Sequence, residues 1–118
     1  MKIVISSTGK TVDDFIDVRF GRCKYFLIID TEDEKITSIE NKGQESSGGA
    51  GIVAAQQLID EKIDVVITGN LGPNAYKIME ESGIKAYQCE KIQISMVLEK
   101  YNNGELEGIK LAGPAHHN

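Results

Sequence analysis

The sequence predicts an α/β protein built on a mixed five-stranded sheet with helices on its faces, in the order β-β-β-α-β-α-β-α. Three observations predict it. Short runs rich in β-branched residues recur, at "KIVIS" (2–6), "KYFLIID" (24–30) and "DVVITG" (64–69). Apolar residues in the second half of the chain repeat at helical spacing between such runs. Glycine and proline punctuate the joins, most densely in "SSGGAG" (46–51) and "TGNLGPNA" (68–75).

Taken in order, "KIVIS" reads as a buried strand. "KYFLIID" is a second, apolar on both faces, and "TEDE" (31–34) is a polar turn into "KITSIEN" (35–41). These last two form an antiparallel hairpin, and the more polar member belongs near an edge. "KGQESSGGAG" (42–51) is a loop. Ile52, Ala55, Leu58 and Ile59 then mark a helix over 50–62. "DVVITG" is short and wholly apolar, as expected of a strand covered on both faces. Pro73 suits the first position of the next helix, whose stripe is Ala75, Ile78 and Met79, and Gly83 suits its end. "IKAYQC" (84–89) is the fifth strand. Ile94, Val97, Leu98 and Tyr101 make the last helix, "NNGELEG" (102–108) is a turn region, and 112–118 is a flexible tail beyond a single domain over 1–111.

With 118 residues the chain can bury a core without staples, roughly 65–70% of its unfolded surface. The formal net charge of −5 argues against a nucleic-acid or anionic-membrane partner, both of which want clustered Lys and Arg. Two cysteines far apart, Cys23 and Cys89, do not suggest a disulfide scaffold, and no stretch approaches the roughly 20 apolar residues of a membrane span. The expectation is a soluble, cytoplasmic protein.

Three segments are candidates for chemistry. "TGNLGPNA" lies at the carboxyl end of a strand and opens a helix, where ligands of open α/β sheets bind and where free N–H groups favour anions. Gly69, Asn70 and Gly72 form that turn. "SSGGAG" enters a helix in the same way, through Gly48 and Gly49, and its length suits a mobile lid. "DVRFGRCKYF" (17–26) carries Arg19 and Arg22, with Cys23 between Arg22 and Lys24. A positive field there would favour thiolate, the form that ligates soft metals and iron–sulfur clusters. Neither GxxxxGK[ST] nor GxGxxG occurs. Cys89 beside Glu90 reads as structural, and His116 and His117 read as tail residues.

No enzyme is expected. A Ser-His-Asp set would need an internal histidine, and both histidines are terminal. Three strands followed by βα units are similar to the ribonuclease H architecture. Nucleases of that type need a carboxylate on the first strand to hold divalent metal, and "KIVISST" has none.

Together, "RFGRCKYFLIID", "GGAGIVAAQQLIDEKIDVVITGNLGPNA" and "GIKAYQC" resemble the dinitrogenase iron–molybdenum cofactor biosynthesis family, over roughly residues 1–111. The resemblance implies a ribonuclease H-like fold without nuclease function, and a metallocluster cargo of the iron–sulfur or iron–molybdenum type, or a precursor. It also implies cluster-assembly proteins as partners. The family often has histidine before the "FG" pair, where this chain has Arg19, and a guanidinium offers no lone pair to a metal. Cys23 is then the expected metal ligand, with Arg19 and Arg22 as charge partners and Gly48, Gly49, Gly69, Asn70 and Gly72 as the backbone cradle. One cysteine does not make an all-thiolate cage, so the cluster arrives preassembled, or a partner or second copy in a homodimer supplies the rest. Two other readings use the same residues: a regulatory module taking a small anionic ligand, such as a nucleotide or phosphate metabolite, and a scaffold whose glycine turns are purely structural.

Overall fold

The computed structural model describes residues 1–110. Strands β1 (Lys2–Ser7), β2 (Tyr25–Asp30) and β3 (Lys35–Glu40) precede helix α1 (Ala50–Asp60). Then come β4 (Val65–Thr68), α2 (Pro73–Ser82), β5 (Lys85–Gln88), α3 (Ile94–Asn102) and β6 (Glu107–Gly108). The sheet runs β3-β2-β1-β4-β5-β6. β2 is antiparallel to both β1 and β3, whereas β1–β4 and β4–β5 are parallel.

Among the described residues the sheet therefore has six strands, one more than the five expected. The sixth is β6, inside the segment expected to be only a turn. It pairs antiparallel with β5, Tyr87 opposite Gly108 and Gln88 opposite Glu107, and Ile109 N–H donates to Ala86 O at 2.8 Å. Glu and Gly are poor strand formers, so the pairing comes from β5's open edge rather than from local preference. The hairpin, the edge position of β3, Pro73 at the start of α2 and Gly83 at its end (φ 74°) are as expected. The expected tail, with His116 and His117, lies outside the described residues.

Alternation along the central strands divides the core in two. Ile3, Ile5, Leu27, Ile29, Val65 and Ile67 face α3, where Ile94 and Val97 meet them. Val4, Phe26, Ile28 and Val66 face the other way, under Ala54, Ala55 and Leu58 of α1 and Ala75 and Met79 of α2. Each large aliphatic side chain so buried contributes about 1.5–3 kcal/mol. No described helix is long and apolar enough to cross a membrane.

This arrangement brings the carboxyl ends of β1 and β4 together, with the segment after β1 crossing over them. Ser7 bridges to Ile16 and Arg19 to Asn70. The Ser6 and Thr68 hydroxyls, both fully buried, lie 2.8 Å apart, and Ser6 Oγ donates to Asp17 O at 2.6 Å. The crossing segment is thereby fastened to the strand ends, and its 19–23 turn is presented to the two helix starts.

Candidate functional site

The turns at 19–23, 42–49 and 69–72 converge on one cavity of about 300 Å³. Phe20, Gly21 and Arg22 form one wall. Ser47, Gly48, Gly49 and the first turn of α1 form the second, and Asn70, Gly72, Pro73, Asn74 and Ala75 the third. The convergence is a consequence of packing. Gly51 near the start of α1 is so close to α2 that a Cβ on it would lie 3.4 Å from Ala75 Cβ. Gly21 lies over the same turn, where a Cβ would come within 2.9 Å of Gly51 N. Two helix N-termini therefore open into one space.

Neither helix is capped by a side chain, and neither has an acidic residue in its first turn. Every backbone N–H from Ser47 to Ile52 lacks an acceptor among the described residues, as do those of Asn74 and Ala75. The first helical bonds run from Val53 N–H to Gly49 O and from Tyr76 N–H to Gly72 O. Gly49 stands at φ 69°, a left-handed conformation that turns the loop into α1 and that other residues adopt at a cost. Unsatisfied N–H groups and aligned helix dipoles favour an anion here.

The glycines of the site differ in their reasons. A Cβ on Gly69 would lie 2.3 Å from Val18 Cβ, so Gly69 serves the crossing of the chain. It borders the Cys89 side of the turn and is absent from the cavity lining. Gly48 and Gly72 do line the cavity, and a Cβ on either would meet nothing within 4 Å. Gly72 has an ordinary extended backbone (φ −67°, ψ 169°). Nothing in its packing or conformation calls for glycine, and the missing side chain leaves the cavity open.

Among the described residues, Arg22 is the one charged side chain of the lining. Its Nη1 donates to Gln44 O at 3.1 Å and to Ser46 O at 2.9 Å, and it has no carboxylate partner among the described residues. Arg19 is placed differently. Its guanidinium pairs with Asp17 at 3.2 Å, whose hydrogen bond raises its pKa further, and it does not line the cavity.

Cys23 departs from the expected thiolate. It is fully buried, its Sγ donates to Phe20 O at 3.4 Å, and it is not part of the cavity lining. Burial, and then the charge of Asp17, push its pKa up to about 12, against weaker opposing hydrogen bonds. The flanking Arg22 and Lys24 do not reverse this: Arg22 Nη1 is turned to Gln44 O and Ser46 O, and Lys24 Nζ stands over the Tyr25 ring. Cys89 is also buried and its thiol likewise raised by desolvation. No group of three or more His, Cys, Asp or Glu able to hold a metal occurs among the described residues.

Two supporting residues carry no sequence signal. Asn41, only 2% exposed, donates from Nδ2 to Gly21 O (3.1 Å) and Cys23 O (2.9 Å), and its Oδ1 accepts from Gly43 N–H (2.8 Å). Gln57 of α1 accepts from Lys42 N–H (2.9 Å) and donates to Glu40 O (2.7 Å). Together they fix the base of the 42–49 loop to the 19–23 turn and to α1. Asn41 reads as the last residue of the "KITSIEN" strand, and a Gln in a helix reads as surface, so neither is visible in advance.

The model of the family described as dinitrogenase iron-molybdenum cofactor matches residues 1–104. The chain belongs to this family. An uncharacterised protein of Methanocaldococcus jannaschii is 30% identical over 111 residues, 91% of this chain and 94% of that protein. Among solved structures, the apo form of the orange protein from Desulfovibrio gigas has a TM-score of 0.87 and 31% identity, covering 98% of this chain and 96% of that one. A Thermotoga protein provisionally assigned to NifB has a TM-score of 0.84 and 27% identity, with 98% of each chain covered. Membership of the iron–molybdenum cofactor family links the chain to cofactor biosynthesis, and the cavity is where its fold leaves donors without acceptors.

Proposed function

We propose that the chain binds an anionic metallocluster of the iron–sulfur or iron–molybdenum type, or a precursor, in this cavity and carries it without turnover. The observation that carries the reading is the set of unpartnered N–H groups, from Ser47 to Ile52 and at Asn74 and Ala75, around a cavity bordered by Arg22. Such clusters are anionic, and their sulfur atoms accept hydrogen bonds. The volume is at the lower end of ordinary small-ligand sites. Family membership supports a cargo of this type.

The manner of holding follows from Cys23. A buried thiol with its pKa near 12 is not a ready metal ligand at neutral pH. The cluster is therefore held as an anion, by hydrogen bonds and charge, with its metals keeping the ligands they bring. That suits a carrier, because release then needs no metal–protein bond to break.

The test is anaerobic. The protein is mixed with a preformed anionic iron–sulfur cluster capped by small thiols, and bound iron and visible absorption are measured after gel filtration. The expected result is retention by the wild type and by Cys23→Ala, and loss by Gly72→Val. Loss in Cys23→Ala with normal folding would return the ligand to Cys23. No retained iron in any form, where a control protein loads, would sink the metallocluster reading.

A further inference from the structure

The 42–49 loop is fixed at both ends and little in between. At its start, Asn41 and Gln57 hold residues 42 and 43, and Gly43 is pressed against α1 so closely that a Cβ would collide with Ala50 O. At its end, Gly49 passes into the helix. Between these points the backbone makes two turn bonds, Gln44 N–H to Asn41 O (3.4 Å) and Ser46 N–H to Gly43 O (3.0 Å). Arg22 supplies the one described side-chain bond from outside the loop to its middle, with a single Nη1 shared between Gln44 O and Ser46 O. The same guanidinium borders the cavity and lacks a carboxylate partner among the described residues.

We infer that the 42–49 loop is a lid strapped over the cavity by Arg22, so that lid closure and anion occupancy are coupled through one guanidinium. This rests on the proposed anion site for its ligand, but not for the strap itself. With the cavity empty, the cation is satisfied by two loop carbonyls, and the loop wall formed by Ser47, Gly48 and Gly49 is held in place. An anion in the cavity gives the guanidinium its missing counter-charge. It also engages the N–H groups of Ser47 to Ile52, which belong to the lid and its hinge. Binding therefore tightens the lid, and opening the lid dismantles half of the site. Arg22 is in this respect a positioning residue as well as a charge.

Limited proteolysis with a glutamyl endopeptidase reads the lid directly, because Glu45 is exposed within it. Cleavage at exposed Glu34, in the β2–β3 turn, serves as an internal reference. Without ligand, Arg22→Gln is expected to raise cleavage at Glu45 by about 10- to 100-fold, the range that hydrogen bonds from a charged donor span, with Glu34 unchanged. Equal rates at Glu45 in wild type and variant overturn the strap. A matching rise at Glu34 also overturns it, since it reports general unfolding. If Arg22→Gln does not fold, Arg22→Lys takes the same measurement, with a smaller rise expected. Loading with the thiol-capped cluster is expected to slow cleavage at Glu45 in the wild type and to do so less in the variant. Equal protection in both overturns the coupling. If no iron is retained, the ligand reading fails, while the ligand-free comparison still decides the strap.

Discussion

Gly51 of α1 and Ala75 of α2 stand one methyl group apart: a Cβ added to Gly51 would touch Ala75 Cβ at 3.4 Å. That close approach brings the starts of the two helices to one cavity. Gly51→Ala fits as an ordinary contact and gains helix propensity, so its stability should stay within about 1 kcal/mol of wild type. Gly51→Val should overpack the junction, at about 1–3 kcal/mol, and spread the two sets of N–H donors. Urea unfolding of both variants, with cluster retention alongside, checks this. A Val variant with unchanged stability and retention would show that the helix junction does not shape the site.

Gly72 gives the opposite pattern. Its backbone conformation is open to any residue, and nothing lies within 4 Å of an added Cβ. Gly72→Ala should leave stability unchanged or raise it by about 0.4–1 kcal/mol, because it restricts the unfolded chain. Gly72→Val should also fold normally while its side chain occupies the cavity. The expected readings are a melting temperature at or above that of wild type and weakened binding, graded with side-chain size.

The Cys23 thiol gives a pH dependence with a definite sign. Its ordinary value is 9.0 and its folded value about 12. Above pH 9 the unfolded chain releases this proton and the folded chain keeps it, so stability is full below pH 9 and falls as the pH rises towards 12. The slope from this one group is at most about 1.4 kcal/mol per pH unit. Denaturant midpoints measured from pH 8 to 11 should show the fall in wild type and a shallower one in Cys23→Ala.

Asn41 is the buried joint between the 19–23 turn and the 42–49 loop. Asn41→Ala leaves Gly21 O, Cys23 O and Gly43 N–H without their partner, at a cost of at least about 1–3 kcal/mol. Asn41→Asp keeps the acceptor and turns a carboxylate towards two carbonyl oxygens. Its folded carboxyl pKa should rise, so the variant regains stability as the pH falls and the acid form can donate again. Unfolding at pH 5 and pH 8 distinguishes the two: a deficit independent of pH would place the lost interaction elsewhere.

Much of this architecture is written locally. The runs rich in β-branched residues place the first four strands, and "IKAYQC" marks the fifth. Pro73 and Gly83 bracket α2, and the glycine-rich entries to α1 and α2 together with "DVRFGRC" mark the three segments that meet. What is missing from the sequence is long-range. β6 is two residues without strand propensity, formed by an edge that exists only after folding. Burial of Cys23 depends on how Phe26, Asn41 and α1 close over it, which its charged neighbours conceal. Gly69 and Gly72 look alike in "GNLGPNA", yet Val18 demands the first, while no described atom lies within 4 Å of a Cβ on the second.

A site made of main-chain donors has an unusual mutational profile. Every residue but proline keeps its backbone N–H, so substitutions at Ser47 or Asn74, proline aside, remove little of what grips the anion. Harm should come instead from added bulk at Gly48 and Gly72, or from shifts in the supports at Gly21, Asn41 and Gly51. In a saturation screen for binding, the intolerant positions would be those where an atom is gained, and Arg22 would stand apart as the position where one is lost. Such a pocket can keep its grip while the surface around it drifts towards new protein partners.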